Sequence, residues 1–179
     1  GLLVSAQLAM KDADYPAARK KLEKVFSIDP KHRDAAAINY LLAIVSDGNV
    51  LAARRKAVGL GYPRLVLGQS VLESIHVDPR GLEEVLSLMT EEIEVDPQSI
   101  EAHNLKAVVL TLLGKDDEAK KMVDQAVNFV PEANQAEVRQ ALEAQLGQAK
   151  LALKAQQVIQ RQGEDKSPES TDKDDANNP

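Results

Sequence analysis

Three histidines, several adjacent carboxylate pairs and one Gly-Gln-Ser triplet are the residues of this 179-residue chain whose types could support chemistry. His32, His76 and His103 lie far apart, and none has a partner at helical spacing, so no H-E-x-x-H zinc pattern exists. His32 reads as a loop residue; His76 and His103 read as helix-surface or inter-helix packing. Glu83-Glu84, Glu91-Glu92 and Asp116-Asp117 have the oxygens to share acid and base work or to hold Ca²⁺. Adjacent side chains on a helix diverge, however, and no EF-hand loop is spaced around them, so they read as solvated faces. Gly68-Gln69-Ser70 lacks the second glycine and the preceding strand of a nucleophile elbow. The glycines form neither a P-loop nor a dinucleotide fingerprint. The chain has no Cys, which excludes disulfides, thiolate catalysis and Cys-based metal sites. These residues predict no enzyme, no cofactor, no metal and no small-molecule substrate. Ser167-Pro168 offers only a weak signal for phosphorylation.

The elements that carry these residues follow from composition and periodicity. Hydrophobic residues make up 44% and charged residues 28%, ordinary for a globular chain, but aromatics reach only 3% and Trp is absent. A core of Ala, Leu, Val and Ile packs by close approach of small side chains, as stacked helices do, and strand-favouring residues are scarce. No apolar run reaches the roughly 20 residues that span a bilayer. The opening Gly1-Leu2-Leu3-Val4 lacks the basic start of a signal peptide and reads as a chain cut or processed upstream of its first helix. The net charge of −6 is split: residues 1–64 carry +5 and residues 65–179 carry −11. Arg19, Lys20, Lys21, Lys24, Lys31, Arg33, Arg54, Arg55 and Lys56 supply most of the positive part. Such polarity steers charged partners, but no aromatics are interleaved with it, and nucleic acid is not expected.

Pro30, Pro63, Pro97 and Pro131 fall 33, 34 and 34 residues apart. Each marks a helix end, because proline cannot continue a helix and disfavours it at the residue before. Between Pro97 and Pro131, Ala102, Leu105, Val108, Val109 and Leu112 recur at helical spacing. Gly114-Lys115-Asp116 breaks that run, and Ala119, Met122, Val123, Ala126 and Val127 form a second. Residues 1–30 show the same layout: Ala6 and Ala9, then Asp14 as an N-cap ahead of Pro16, then Ala18, Leu22 and Val25. Residues 31–63 predict a helix over about 34–45, a turn at Asp47-Gly48-Asn49 and a short helix over about 51–58, cut off by Gly59, Gly61 and Pro63. Residues 64–97 place Glu73 where a small residue is expected and a turn at Asp78-Pro79-Arg80-Gly81. From Glu132 to about Gln162 a single long helix follows, with an apolar stripe through Val138, Ala141, Leu142 and Ala149. Residues 163–179 are polar and acidic and are expected to be disordered.

A 34-residue period with Ala107, Gly114, Ala119 and Ala126 at these positions resembles the tetratricopeptide repeat family. The resemblance implies an all-α, right-handed solenoid of antiparallel helix pairs over 1–30, 31–63, 64–97 and 98–131. Residues 132–162 would form the capping helix. It also implies that the first helices of successive repeats line a concave groove that takes a peptide or helix. By their place in the repeats, the groove residues are Gln7, Lys11, Ile38, Ser70, Ser74, Asn104, Val108 and Thr111. The Lys/Asn/Arg clamp of the chaperone-binding branch is missing, since Leu3 and Gln7 stand at its first positions. The implied function is a protein–protein interaction module, an adaptor or assembly scaffold, of the kind found in bacterial secretion, pilus, polysaccharide-export and envelope machines. Self-association through the terminal helices is the alternative. The Ala/Gln/Asp-rich, cysteine-free composition with an Asn-rich end has a bacterial character; the localisation stays open, with a soluble chain of the bacterial cytoplasm or periplasm expected.

Overall fold

The computed structural model describes residues 1–46, 48–74 and 79–164, and side chains as far as 155 together with Val158. Among these residues there are nine α-helices and no strand: α1 (Leu2–Lys11), α2 (Tyr15–Ile28), α3 (Arg33–Val45), α4 (Val50–Gly59), α5 (Arg64–Ser74), α6 (Pro79–Val95), α7 (Ile100–Leu112), α8 (Asp116–Asn128) and α9 (Glu132–Glu164). Consecutive helices pack closely as α1 with α2, α3 with α4, α5 with α6, and α7 with α8. The odd-numbered helices also touch in series, α1 to α3, α3 to α5, α5 to α7 and α7 to α9.

Local chemistry explains the boundaries. Asp14 caps α2 by accepting from the Ala17 N–H at 3.0 Å, with Pro16 in the first turn where a missing N–H costs nothing. Asn49 and Ser99 cap α4 and α7 in the same way. His32 also serves as a cap, its Nδ1 accepting from the Ala35 N–H at 3.3 Å. Three helix ends close through a residue at positive φ: Ala13 (φ 56), Gly61 (φ 82) and Gly114 (φ 74). After each, the next N–H reaches back to a carbonyl in the last turn, as in Lys115 to Leu110 at 2.8 Å and Asp14 to Ala9 at 2.8 Å.

Two expectations need correction. The turn assigned to 78–81 is largely helix: Pro79, Arg80 and Gly81 open α6, because proline's fixed φ suits a first helical turn as well as it suits a loop. Asp78, like His76, Asp47 and residues 165–179, lies outside the described residues. On α9 the buried residues are Leu142 and Leu146, with Val138 and Ala149 half-buried, while Ala141 is exposed.

The core is aliphatic and fine-grained. Ala6, Ala18, Ala107, Ala119 and Ala126 are each 1% exposed or less, so paired helices approach closely at those points. In the third pair the close approach falls at Gly68 rather than at Glu73. A Cβ at Gly68 would sit 3.1 Å from Met89 Cε and 3.2 Å from Leu105 Cδ2.

Candidate functional site

A concave cleft of about 700 Å³ opens between α1, α3 and α5. Val4, Gln7, Leu8, Met10 and Lys11 of α1 form one wall, with Tyr15 of α2 at its end. Ile38, Leu41 and Val45 of α3 make the floor, and Glu73 and Ser74 of α5 the far side. A smaller adjoining hollow of about 250 Å³ continues along Leu3, Gln7, Asp34, Ile38, Leu41, Tyr62 and Ser70. Five of the eight groove residues, Gln7, Lys11, Ile38, Ser70 and Ser74, therefore come together from three helices about 30 residues apart in sequence. Gln7, Lys11 and Ser74 are exposed, Ser70 is half-buried, and Ile38 is buried at 7% exposure.

The cleft is amphipathic. Its apolar part includes Val4 and Leu8, which are 57% and 54% exposed. Helical spacing puts both on the flank of α1 turned away from buried Ala6 and Ala9. Lys11 supplies positive charge on the α1 side and Glu73 negative charge on the α5 side. A ligand with an apolar stripe and polar edges matches that lining.

The other three groove residues are placed differently. Asn104 is half-buried and donates from its amide to Gln145 Oε1 of α9 at 2.7 Å, while its own Oδ1 is buried without a partner. Val108 packs into the cluster that joins α7 and α8 to Leu142 and Leu146 of α9. Thr111 is 2% exposed and its hydroxyl donates to the Ala107 carbonyl at 3.0 Å. The capping helix thus lies against the α7 positions that correspond to the open cleft of α1 and α3.

The carboxylate pairs do not all face solvent. Arg54 of α4 bridges Glu84 at 3.1 Å and Glu91 at 3.2 Å, both on α6. Arg64 of α5 reaches Glu92 at 3.5 Å, and its Nε lies 3.5 Å from Glu91 Oε2 without the angle of a hydrogen bond. Tyr40 of α3 donates to Glu84 Oε2 at 3.2 Å. Burial first, and then the Glu84 carboxylate, push the Tyr40 phenol well above its ordinary range, so it stays a donor. The expectation that Glu84, Glu91 and Glu92 are simply solvated is corrected: they tie α6 to α3, α4 and α5. These are structural bridges where α4 packs little against α5. Sequence spacing could not show them, because the partners lie on different helices far apart in the chain.

His103 is buried at 3% exposure, its Nδ1 2.8 Å from the Ser99 carbonyl and its ring 5.5 Å from that of Phe129. That is the inter-helix packing expected of it. Among the described residues no group of three His, Cys, Asp or Glu side chains could hold a metal ion, and no helix is long and apolar enough to cross a membrane.

Comparison with known proteins finds no family model that matches the chain, and no curated protein or solved structure that matches it.

Proposed function

We propose that the chain is a protein-binding module, a tetratricopeptide-like right-handed solenoid whose concave cleft between α1, α3 and α5 holds a segment of another protein. One observation carries the reading: Gln7, Lys11, Ile38 and Ser74, selected by repeat position alone, line one cleft of about 700 Å³. The serial contact of the odd-numbered helices supports the solenoid, since it puts their exposed flanks side by side. The cleft's depth and mixed lining suit a short amphipathic helix, its apolar side chains against Val4, Leu8 and Leu41 and its polar edges towards Lys11 and Glu73. Adaptor or scaffold work follows from that mode of binding. The fourth helix pair would serve as the closed end of the array, because α9 already covers it.

The test compares capture of native partners by the intact chain and by a Leu8→Glu, Lys11→Glu variant. Both residues are exposed, so circular dichroism should report an unchanged fold. A partner held by the intact chain and lost from the variant locates the site. Equal capture by both would overturn the reading of this cleft.

A further inference from the structure

Beside the concave cleft, which it meets at Tyr15 and Val45, the surface along α2 carries more positive than negative charge among the described residues. Two clefts, of about 820 Å³ and 350 Å³, run along α2 and share Arg19 and Glu23. The first adds Lys20, and the second adds Phe26 and Lys56, whose ammonium sits 3.3 Å from the Phe26 ring centroid. Among the described residues, which leave out Asp47 between Ser46 and Gly48, three cations, Arg19, Lys20 and Lys56, line the run against the carboxylate of Glu23. Arg19 donates to Ser46 Oγ at 3.2 Å, and among the described residues no carboxylate is within ion-pair distance of Arg19, Lys20 or Lys56. Leu22 and Leu42 are buried at 1% exposure each, and Tyr15, Pro16, Val45 and Phe26 line the clefts beside the charges.

We propose that this basic cleft binds the acidic C-terminal tail of a second copy of the chain. Residues 164–179 carry Glu164, Asp165, Glu169, Asp172, Asp174 and Asp175 against Lys166 and Lys173, and they include no large apolar residue. Such a segment is complementary in charge to Arg19, Lys20 and Lys56. The tail also starts far along the chain's packing order from the cleft. It follows α9, which rests on α7 and α8, whereas α2 rests on α1 and α3. The ion pair of Lys150 with Asp116 at 2.9 Å ties α9 to α8, and the helix runs on to Glu164. Those 14 further residues carry the tail's root about 20 Å onward. The contact is heterologous, cleft to tail, so each copy keeps one free cleft and one free tail for the next. The two clefts meet at Tyr15 and Val45, but the contact does not rest on the reading given to the concave cleft above.

The experiment measures mass by sedimentation for the full chain, a chain ending at Glu164, and an Arg19→Glu, Lys20→Glu variant. At roughly 50 mM salt the mass of the full chain should rise with concentration. At roughly 500 mM it should return to that of one chain, as the screening length falls from about 14 Å to about 4 Å. Each altered chain should be monomeric alone, with circular dichroism confirming an intact fold. Mixed, they should form a one-to-one pair and nothing larger, since one intact cleft and one intact tail remain. A full chain that stays monomeric at low salt overturns the proposal, and so does association that survives loss of the tail. So does a synthetic 164–179 peptide that binds the shortened chain while the full chain remains monomeric, because the tail would then occupy its own cleft.

Discussion

The first and fourth helix pairs share one ground plan and end in opposite situations. In both, the first helix closes through a residue at positive φ, Ala13 in one and Gly114 in the other. In both, the following N–H reaches the carbonyl five residues back, and a buried alanine, Ala18 or Ala119, opens the contact of the second helix. Beyond that point they diverge. α7 is covered by α9, whose Leu142 and Leu146 complete an apolar cluster with Ala107, Leu110 and Val123. α1 leaves Val4 and Leu8 bare at the edge of the cleft. The same plan therefore yields a sealed end and an open one, and what distinguishes them is whether another helix happens to cover the exposed flank. Stability should concentrate where the flank is covered, and the binding proposed for the cleft falls where it is not.

The sharpest way to break this comparison is to cut the same side chain in both places. Leu142→Ala removes a side chain that is 5% exposed from the seal and should cost about 2–4 kcal/mol. Leu8→Ala, at 54% exposure, should stay within about 0.5 kcal/mol. Urea unfolding of the two variants decides it, and similar losses would mean that α1 is as deeply engaged as α9.

Overpacking the close contact comes next. Ala126 is fully buried where α7 and α8 meet, while the matching place in the first pair holds Val25, at 7% exposure. Ala126→Leu should cost about 1–3 kcal/mol or more, seen as a fall in melting temperature of several degrees. A melting temperature unchanged by Ala126→Leu and by Ala119→Leu would refute the pairing of α7 with α8.

The turns give a smaller and oppositely signed pair. An L-residue at φ 56 is strained by about 1 kcal/mol where glycine is not. Ala13→Gly should accordingly stabilise by up to about 1 kcal/mol, and Gly114→Ala should destabilise by about the same amount. Nothing lies within 4 Å of a Cβ at Gly114, so the second effect isolates backbone strain from crowding.

These particulars also show what was legible before the structure. Proline spacing and alanine recurrence are local signals, and they placed the helices within a residue or two, as at α3, expected over about 34–45 and found at Arg33–Val45. Pro79 misled because proline is equally at home in a turn and in a first helical turn. Gly68 was weighed only as part of a nucleophile elbow, although its burial against Met89 and Leu105 marks the close approach of the third pair. Gln7, Lys11, Ile38, Ser70 and Ser74 share adjoining clefts because helical spacing fixes which flank of its helix each residue occupies. The placing of Asn104, Val108 and Thr111 depended on where α9 docks, a tertiary choice that its own periodicity does not encode. The Tyr40–Glu84–Arg54 bridge was equally hidden, since its members sit on three different helices.

The smallest effects test the plan at its caps. Asp14 accepts from the Ala17 N–H, but Lys115, in the matching position of the fourth pair, makes no side-chain cap. α8 compensates by charge, with Asp116, Asp117 and Glu118 in its first turn facing the positive end of the helix dipole. Asp14→Ala should therefore cost about 1 kcal/mol, and Lys115→Asn should gain about 0.5 kcal/mol. The gain is the smaller because the acidic turn already satisfies part of the same demand, and because the Lys115–Glu118 pair that it removes is exposed and 3.9 Å long. Raising the salt concentration separates the two sources. The acidic turn of α8 should weaken as its field is screened, while the directional Asp14 hydrogen bond holds, so the benefit of Lys115→Asn should grow with salt and the cost of Asp14→Ala should barely move.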